Sequence, residues 1–136
     1  MPRNVGLWID HKQAYINWQG EDNLQIIPSN VEPKVPFSGG SRIGGLYNQN
    51  LGKELRFNDR FEHQLHEYYE KVVSMIHGAE YIFIMGPGEA KKELERELKK
   101  HKGLGKHVLK VETADKMTEH QIVARVKHFY QQELAA

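Results

Sequence analysis

The sequence predicts a single α/β domain: a mixed five-stranded sheet carrying three helices, in the order βββ–loop–αβαβα. Three features predict it. Two short apolar runs near the start, Val5 to Asp10 and Ala14 to Trp18, are separated only by His11, Lys12 and Gln13, which is hairpin spacing. A continuous apolar run from Tyr81 to Met85, YIFIM, has the character of a central strand buried on both faces. On either side of that run the apolar residues recur every three to four positions, as on helices. A length of 136 residues is that of one ordinary domain, so residues 1–136 are read as one unit.

The elements follow in order. Leu24 to Ile27 comes after a second turn, Gly20-Glu21-Asp22-Asn23, and completes three antiparallel strands. Tyr15 and Trp18 add bulk that favours strands. Residues 29–56 then break the pattern with Pro33, Pro36, Gly39, Gly40, Gly44, Gly45 and Gly52, and are read as a long glycine-rich loop of functional or disordered type. The loop is mildly cationic, with Lys34, Arg42, Lys53 and Arg56 against Glu32 and Glu54. Phe57 to His77 reads as a long helix through Phe61, Leu65, Tyr68, Tyr69, Val72, Val73 and Ile76, with Gly78 as its C-cap. After YIFIM, Gly86-Pro87-Gly88 turns into a helix from Glu89 to His101, apolar only at Ala90, Leu94 and Leu98. His107 to Val111 is the fifth strand. The last helix runs from Thr118 to Leu134, with Thr118 and Gln121 as a capping box and Ile122, Val123, Val126, Phe129 and Tyr130 as its buried face.

Composition narrows the function. Lysine and arginine number 19 against 18 acids, so any nucleic-acid contact must come from a local patch rather than from global charge. There is no cysteine, which excludes disulfides, zinc–thiolate sites and a cysteine nucleophile, and fits a reducing compartment. No apolar stretch approaches the roughly 20 residues of a membrane helix, and the N-terminus has no signal-peptide pattern. The cytoplasm is the expected location.

Four constellations could carry chemistry. The Gly86-Pro87-Gly88 junction lies where open α/β sheets place ligands, and a helix N-terminus there could bind an anion at Gly86 and Gly88. It matches neither a P-loop nor GxGxxG, and a tight turn is the competing reading. Asp10, ending the first strand, is where a ribonuclease-H-like nuclease would hold a metal, with Glu112 and Asp115 as further acids; a turn-forming Asp explains it as well. Glu62, His63, His66 and Glu70 share a helix face but form no stringent ligand motif, so a solvated polar face is expected and no metal. Finally, between Gly88 and Lys110 eight basic residues outnumber four acids, whereas residues 57–87 hold two basic and five acidic. The segment Lys99–His107, KKHKGLGKH, is a compact basic patch able to neutralise phosphates without reading sequence.

Residues 56–98 together resemble the middle domain of the eukaryotic and archaeal class-1 peptide-chain release factors and their Pelota relatives. Arg56-Phe57 opens the helix, His66, Tyr68, Lys71 and Val72 follow at similar spacings, and Ala79 to Leu94, AEYIFIMGPGEAKKEL, is similar to that domain's strand–turn–helix segment. The resemblance implies a stand-alone relative with a mixed five-stranded fold and an RNA-facing loop. In the family that loop carries Gly-Gly-Gln, which promotes ester hydrolysis in the peptidyl-transferase centre. Here it offers Gly39-Gly40-Ser41 and Gly44-Gly45-Leu46 instead, so peptide release is not implied.

The expected function is therefore that of a translation-related, ribosome- or RNA-associated binding protein with no catalytic residue and no cofactor. Loop contacts are assigned to Gly39, Gly40, Arg42, Gly44 and Gly45, and RNA contacts to Arg56, Lys99, Lys100, Lys102 and Lys106. The alternatives are a metal-dependent nuclease using Asp10 and a protein-interaction module whose 29–56 loop folds on a partner.

Overall fold

A computed structural model describes residues 3–31, 44–101 and 103–134, excepting the side chains of 44–59. Strand β1 (Asn4–Ile9) turns back antiparallel into β2 (Gln13–Trp18), with Val5 opposite Trp18 and Ile9 opposite Ala14. Strand β3 (Gln25–Pro28) adds antiparallel to β2. Helix α1 (Gly44–Ile76) leads to β4 (Tyr81–Gly86), which pairs in parallel with β1. Helix α2 (Ala90–Lys100) leads through a 3-10 turn (Gly105–His107) to β5 (Val108–Thr113), parallel to β4, and α3 (Glu119–Glu133) ends the domain. The sheet order is β3-β2-β1-β4-β5, a mixed sheet with three helices as the sequence predicts.

Strand periodicity decides which helix covers which face. Alternate residues point to opposite sides. Val5, Leu7 and Ile9 of β1, with Ile82 and Ile84 of β4, join Leu65, Tyr69, Val72 and Ile76 of α1 and Leu94 and Leu98 of α2 in one core. The residues between them, Trp8, Phe83 and Met85, pack with Ile122, Val126, Phe129 and Tyr130 of α3 in a second core. Phe83 and Phe129 stack with ring centroids 3.9 Å apart. The capping box of α3 is complete: Thr118 Oγ1 accepts from the Gln121 N–H at 3.2 Å, and Gln121 Oε1 accepts from the Thr118 N–H at 2.9 Å.

The start of the long helix differs most from the sequence expectation. Helix α1 begins at Gly44, not Phe57, and its 33 residues make it about 50 Å long. Gly44, Gly45 and Arg56, assigned to a loop, are therefore helical in backbone. Glycine only weakens a helix, by about 1 kcal/mol each, whereas proline breaks one, and the last proline before α1 is Pro36. The rest of the expected loop, including Gly39, Gly40 and Arg42, lies outside the described residues. Strand β5 also runs to Thr113, two residues past the expected end. Among the described residues, no helix is long and apolar enough to cross a membrane.

Gly86 and Gly6 sit at the tightest approaches to neighbouring elements. A Cβ on Gly86 would stand 2.1 Å from the Ile9 carbonyl oxygen, and its φ of +152° disfavours any side chain. A Cβ on Gly6 would stand 2.3 Å from Cγ2 of Val126, so Gly6 sets how closely α3 approaches β1. Gly6→Ala should destabilise the fold by about 1–3 kcal/mol, the usual cost of overpacking. Adding Val126→Ala should recover part of that loss. A double-mutant cycle by urea denaturation measures the coupling, and strictly additive losses would contradict the proposed contact.

Candidate functional site

Helices α1 and α2 share the apolar core on one side of the sheet, and above that core their facing side chains turn polar. Glu93 of α2 is the first meeting point. Its Oε1 accepts a hydrogen bond from the Tyr69 hydroxyl at 2.5 Å and lies 2.9 Å from His11 Nε2. Burial, reinforced by the bond to Glu93, pushes the Tyr69 hydroxyl far above its usual range, so it stays a donor. The neighbouring Tyr68 hydroxyl donates to the Asp10 carbonyl at 3.0 Å, tying α1 to the β1–β2 turn.

Further along the same seam, His66 and Glu70 of α1 meet Glu97 and His101 of α2. His66 Nδ1 is 3.4 Å from Glu97 Oε1, and His101 Nε2 is 2.9 Å from Glu70 Oε1. Glu97 is buried, its side chain only 7% exposed, while that of His66 is 53% exposed. Hydrogen bonding with Glu97, then with His101, holds Glu70 below the usual carboxylate range. A cleft of about 360 Å³ opens between the helices, its walls including Glu62, His66, Tyr69, Glu93 and Glu97 together with the basic Arg96 and Lys100. The expected solvated face of His66 and Glu70 is thus half of a two-helix cluster. Each half is an i,i+4 pair visible in the sequence. Their meeting depends on how α1 and α2 pack, which no spacing within one helix encodes.

The outward face of α2 is basic. Lys92, Arg96, Lys99 and Lys100 are all exposed, and their i, i+4, i+7, i+8 spacing puts them on one side of the helix. Ala90, Leu94 and Leu98 take the opposite side and are buried. Lys106, in the 3-10 turn that follows, is exposed as well. Lys99 and Lys100 stand in the last turn, where the helix dipole favours cations. Lys100 also approaches Glu97, at 3.6 Å. Sequence reasoning stopped at the C-terminal end of this stripe; Lys92 and Arg96 extend it. Lys102 lies outside the described residues, as does the side chain of Arg56.

The two remaining candidates have local explanations. At the start of α2, Lys91 is buried and its Nζ donates to the Gly88 carbonyl at 2.5 Å. Glu89 and Glu93 bring negative charge to the positive end of the helix dipole, where an anion would have to sit. Asp10 closes the hairpin: its Oδ1 accepts from the N–H groups of Lys12 at 2.8 Å and Gln13 at 2.9 Å. Among the described residues, the one group of three His, Asp or Glu side chains with metal-ligand spacing is His66, Glu70 and Glu97, and Asp10 is not in it. Glu112 is held in a two-pronged ion pair by Arg125, with contacts of 3.0 and 2.7 Å.

That pair makes a pH prediction. Hydrogen bonding to Arg125 lowers the Glu112 pKa in the folded chain. A lowered folded pKa stabilises the fold above the unfolded value, about 4.3, and that stabilisation is lost as pH falls through the folded value. Glu112→Gln should therefore cost about 1–2 kcal/mol at pH 7. The gap between variant and wild type should close as the pH drops below about 4. Urea titrations across pH 3–7 check this; a gap constant with pH would show that the ion pair is not its source.

No family model matches the chain, and no curated protein matches it. Among solved structures, an archaeal translation termination factor, aRF1, is similar at 12% identity and a TM-score of 0.45. The match covers 98% of this chain and 41% of that one, so the chain spans less than half of that protein's length. A likeness at this level carries no argument about activity.

Proposed function

We propose that the chain is a ribosome- or RNA-associated binding protein of the translation apparatus, without a peptide-release step. The observation that carries this reading is the basic stripe on the outward face of α2, Lys92, Arg96, Lys99 and Lys100, continued by Lys106. Flexible exposed ammonium and guanidinium groups in a row match a phosphate backbone and ask nothing of base sequence. The resemblance of residues 56–98 to release-factor middle domains supplies the translational context. The absence of Gly-Gly-Gln from the sequence removes the group that would promote ester hydrolysis in that family.

The stripe is tested by replacing Lys92, Arg96, Lys99 and Lys106 with Ala, leaving Lys100 because it also approaches Glu97. Alanine is a good helix former, so α2 should persist. Binding to purified ribosomal subunits and to single-stranded RNA should weaken on every sequence alike. The slope of log affinity against log salt should become shallower by up to about three, at roughly 0.7–0.9 per lost phosphate contact. A folded variant that binds as wild type does, with the same salt slope, would remove the stripe from consideration.

A further inference from the structure

Two helices that are separate in sequence bring His66, Glu70 and Glu97 together so that one donor atom from each lies within 4.8 Å of the others. Glu97 brings a buried carboxylate to the group, its side chain only 7% exposed, and Lys100 Nζ stands 3.6 Å from it. An imidazole nitrogen beside two carboxylates selects among cations. Calcium and magnesium prefer all-oxygen shells, whereas imidazole with carboxylate suits zinc and neighbouring divalent transition metals.

We propose that His66, Glu70 and Glu97 form a binding site for a divalent transition-metal ion of the zinc type, at the cleft between α1 and α2. Zinc bonds of about 2.0–2.2 Å in a tetrahedron put ligand atoms roughly 3.3–3.6 Å apart. His66 Nδ1 and Glu97 Oε1 already stand at 3.4 Å. Glu70 completes the set from the same helix face as His66, one turn away. His101, 2.9 Å from Glu70 Oε1, acts as a positioning residue that orients this carboxylate. Lys100, whose side chain is 70% exposed, is free to swing from Glu97 towards solvent as the ion enters. Three protein donors leave a fourth position for water or an added ligand, facing the cleft whose wall includes His66, Glu97, Arg96 and Lys100. The ion would also staple α1 to α2.

The test uses the full chain, stripped of metal and titrated with cobalt(II), followed by visible d–d absorption and by competition with zinc(II). One ion per chain should bind, and zinc should raise the unfolding midpoint. His66→Ala and Glu97→Gln should each weaken cobalt binding at least about tenfold, and His101→Ala about ten- to a hundredfold. His63→Ala is the control: His63 lies on the same helix, exposed and 2.8 Å from Glu67, and its loss should leave binding unchanged. If Glu97→Gln fails to fold by circular dichroism, His66→Ala decides, because His66 is half exposed and not part of the core. Absence of saturable binding, or wild-type affinity in folded His66→Ala, would overturn the proposal. Neither outcome bears on the basic stripe, which is read out by RNA.

Discussion

Strands β1 and β4 lie side by side in parallel and are buried on both faces, and every other element is placed by the need to cover them. A parallel pair cannot be joined by a hairpin, so a crossover must run over one face, and α1 supplies it. With α1 and α2 on that face, the opposite face still exposes Trp8, Phe83 and Met85 unless α3 returns to cover them. Polar anchoring follows the same logic. The Trp8 indole N–H donates to the Asp115 carbonyl at 3.0 Å, and the Tyr130 hydroxyl reaches the Val5 carbonyl at 2.5 Å. Each aromatic buries its body in the core and pairs its one polar atom with a backbone carbonyl.

Covering one face with two helices rather than one creates the seam on which the candidate chemistry lies. Below, the seam is apolar, through Leu65, Val72, Leu94 and Leu98. Above, it is a row of imidazoles, carboxylates and a phenol, with Glu93 and Glu97 one turn apart on α2 as its two centres. The outward face of α2 is free for cations because its inward face is occupied. One short helix thus carries a basic row whose Arg96 and Lys100 border the imidazole- and carboxylate-lined cleft, with the apolar stripe Ala90, Leu94 and Leu98 on its inward side.

Much of this was legible in the residues. The succession of elements and the buried face of α1 follow from periods of two and three to four, and Leu65, Tyr68, Tyr69, Val72, Val73 and Ile76 are all buried as their spacing implies. The start of α1 was not legible, because Gly44, Gly45 and Gly52 mimic loop composition although glycine alone does not stop a helix. Of the candidate sites, the Lys99–Lys106 patch could be read as a run of charge. The His66 cluster could not, since its two halves are 27 positions apart at Glu70 and Glu97 and only tertiary packing joins them.

The placement of Tyr130 has a consequence for how the chain is made. Its hydroxyl is bonded to the backbone of Val5, 125 positions earlier, while Asn4 pairs with Tyr81 at the head of β4. The β1–β2–β3 meander can form early from local contacts, but its central strand then waits, apolar on both faces, for partners synthesised much later. A nascent chain would thus carry exposed Val5, Leu7, Trp8 and Ile9 through most of its synthesis, and the domain closes only when α3 has emerged. During that interval the hydrogen-bonding edge of β1 is open to any other extended segment. Until α3 packs, the emerging chain presents the apolar surface and open strand edge that favour misassociation.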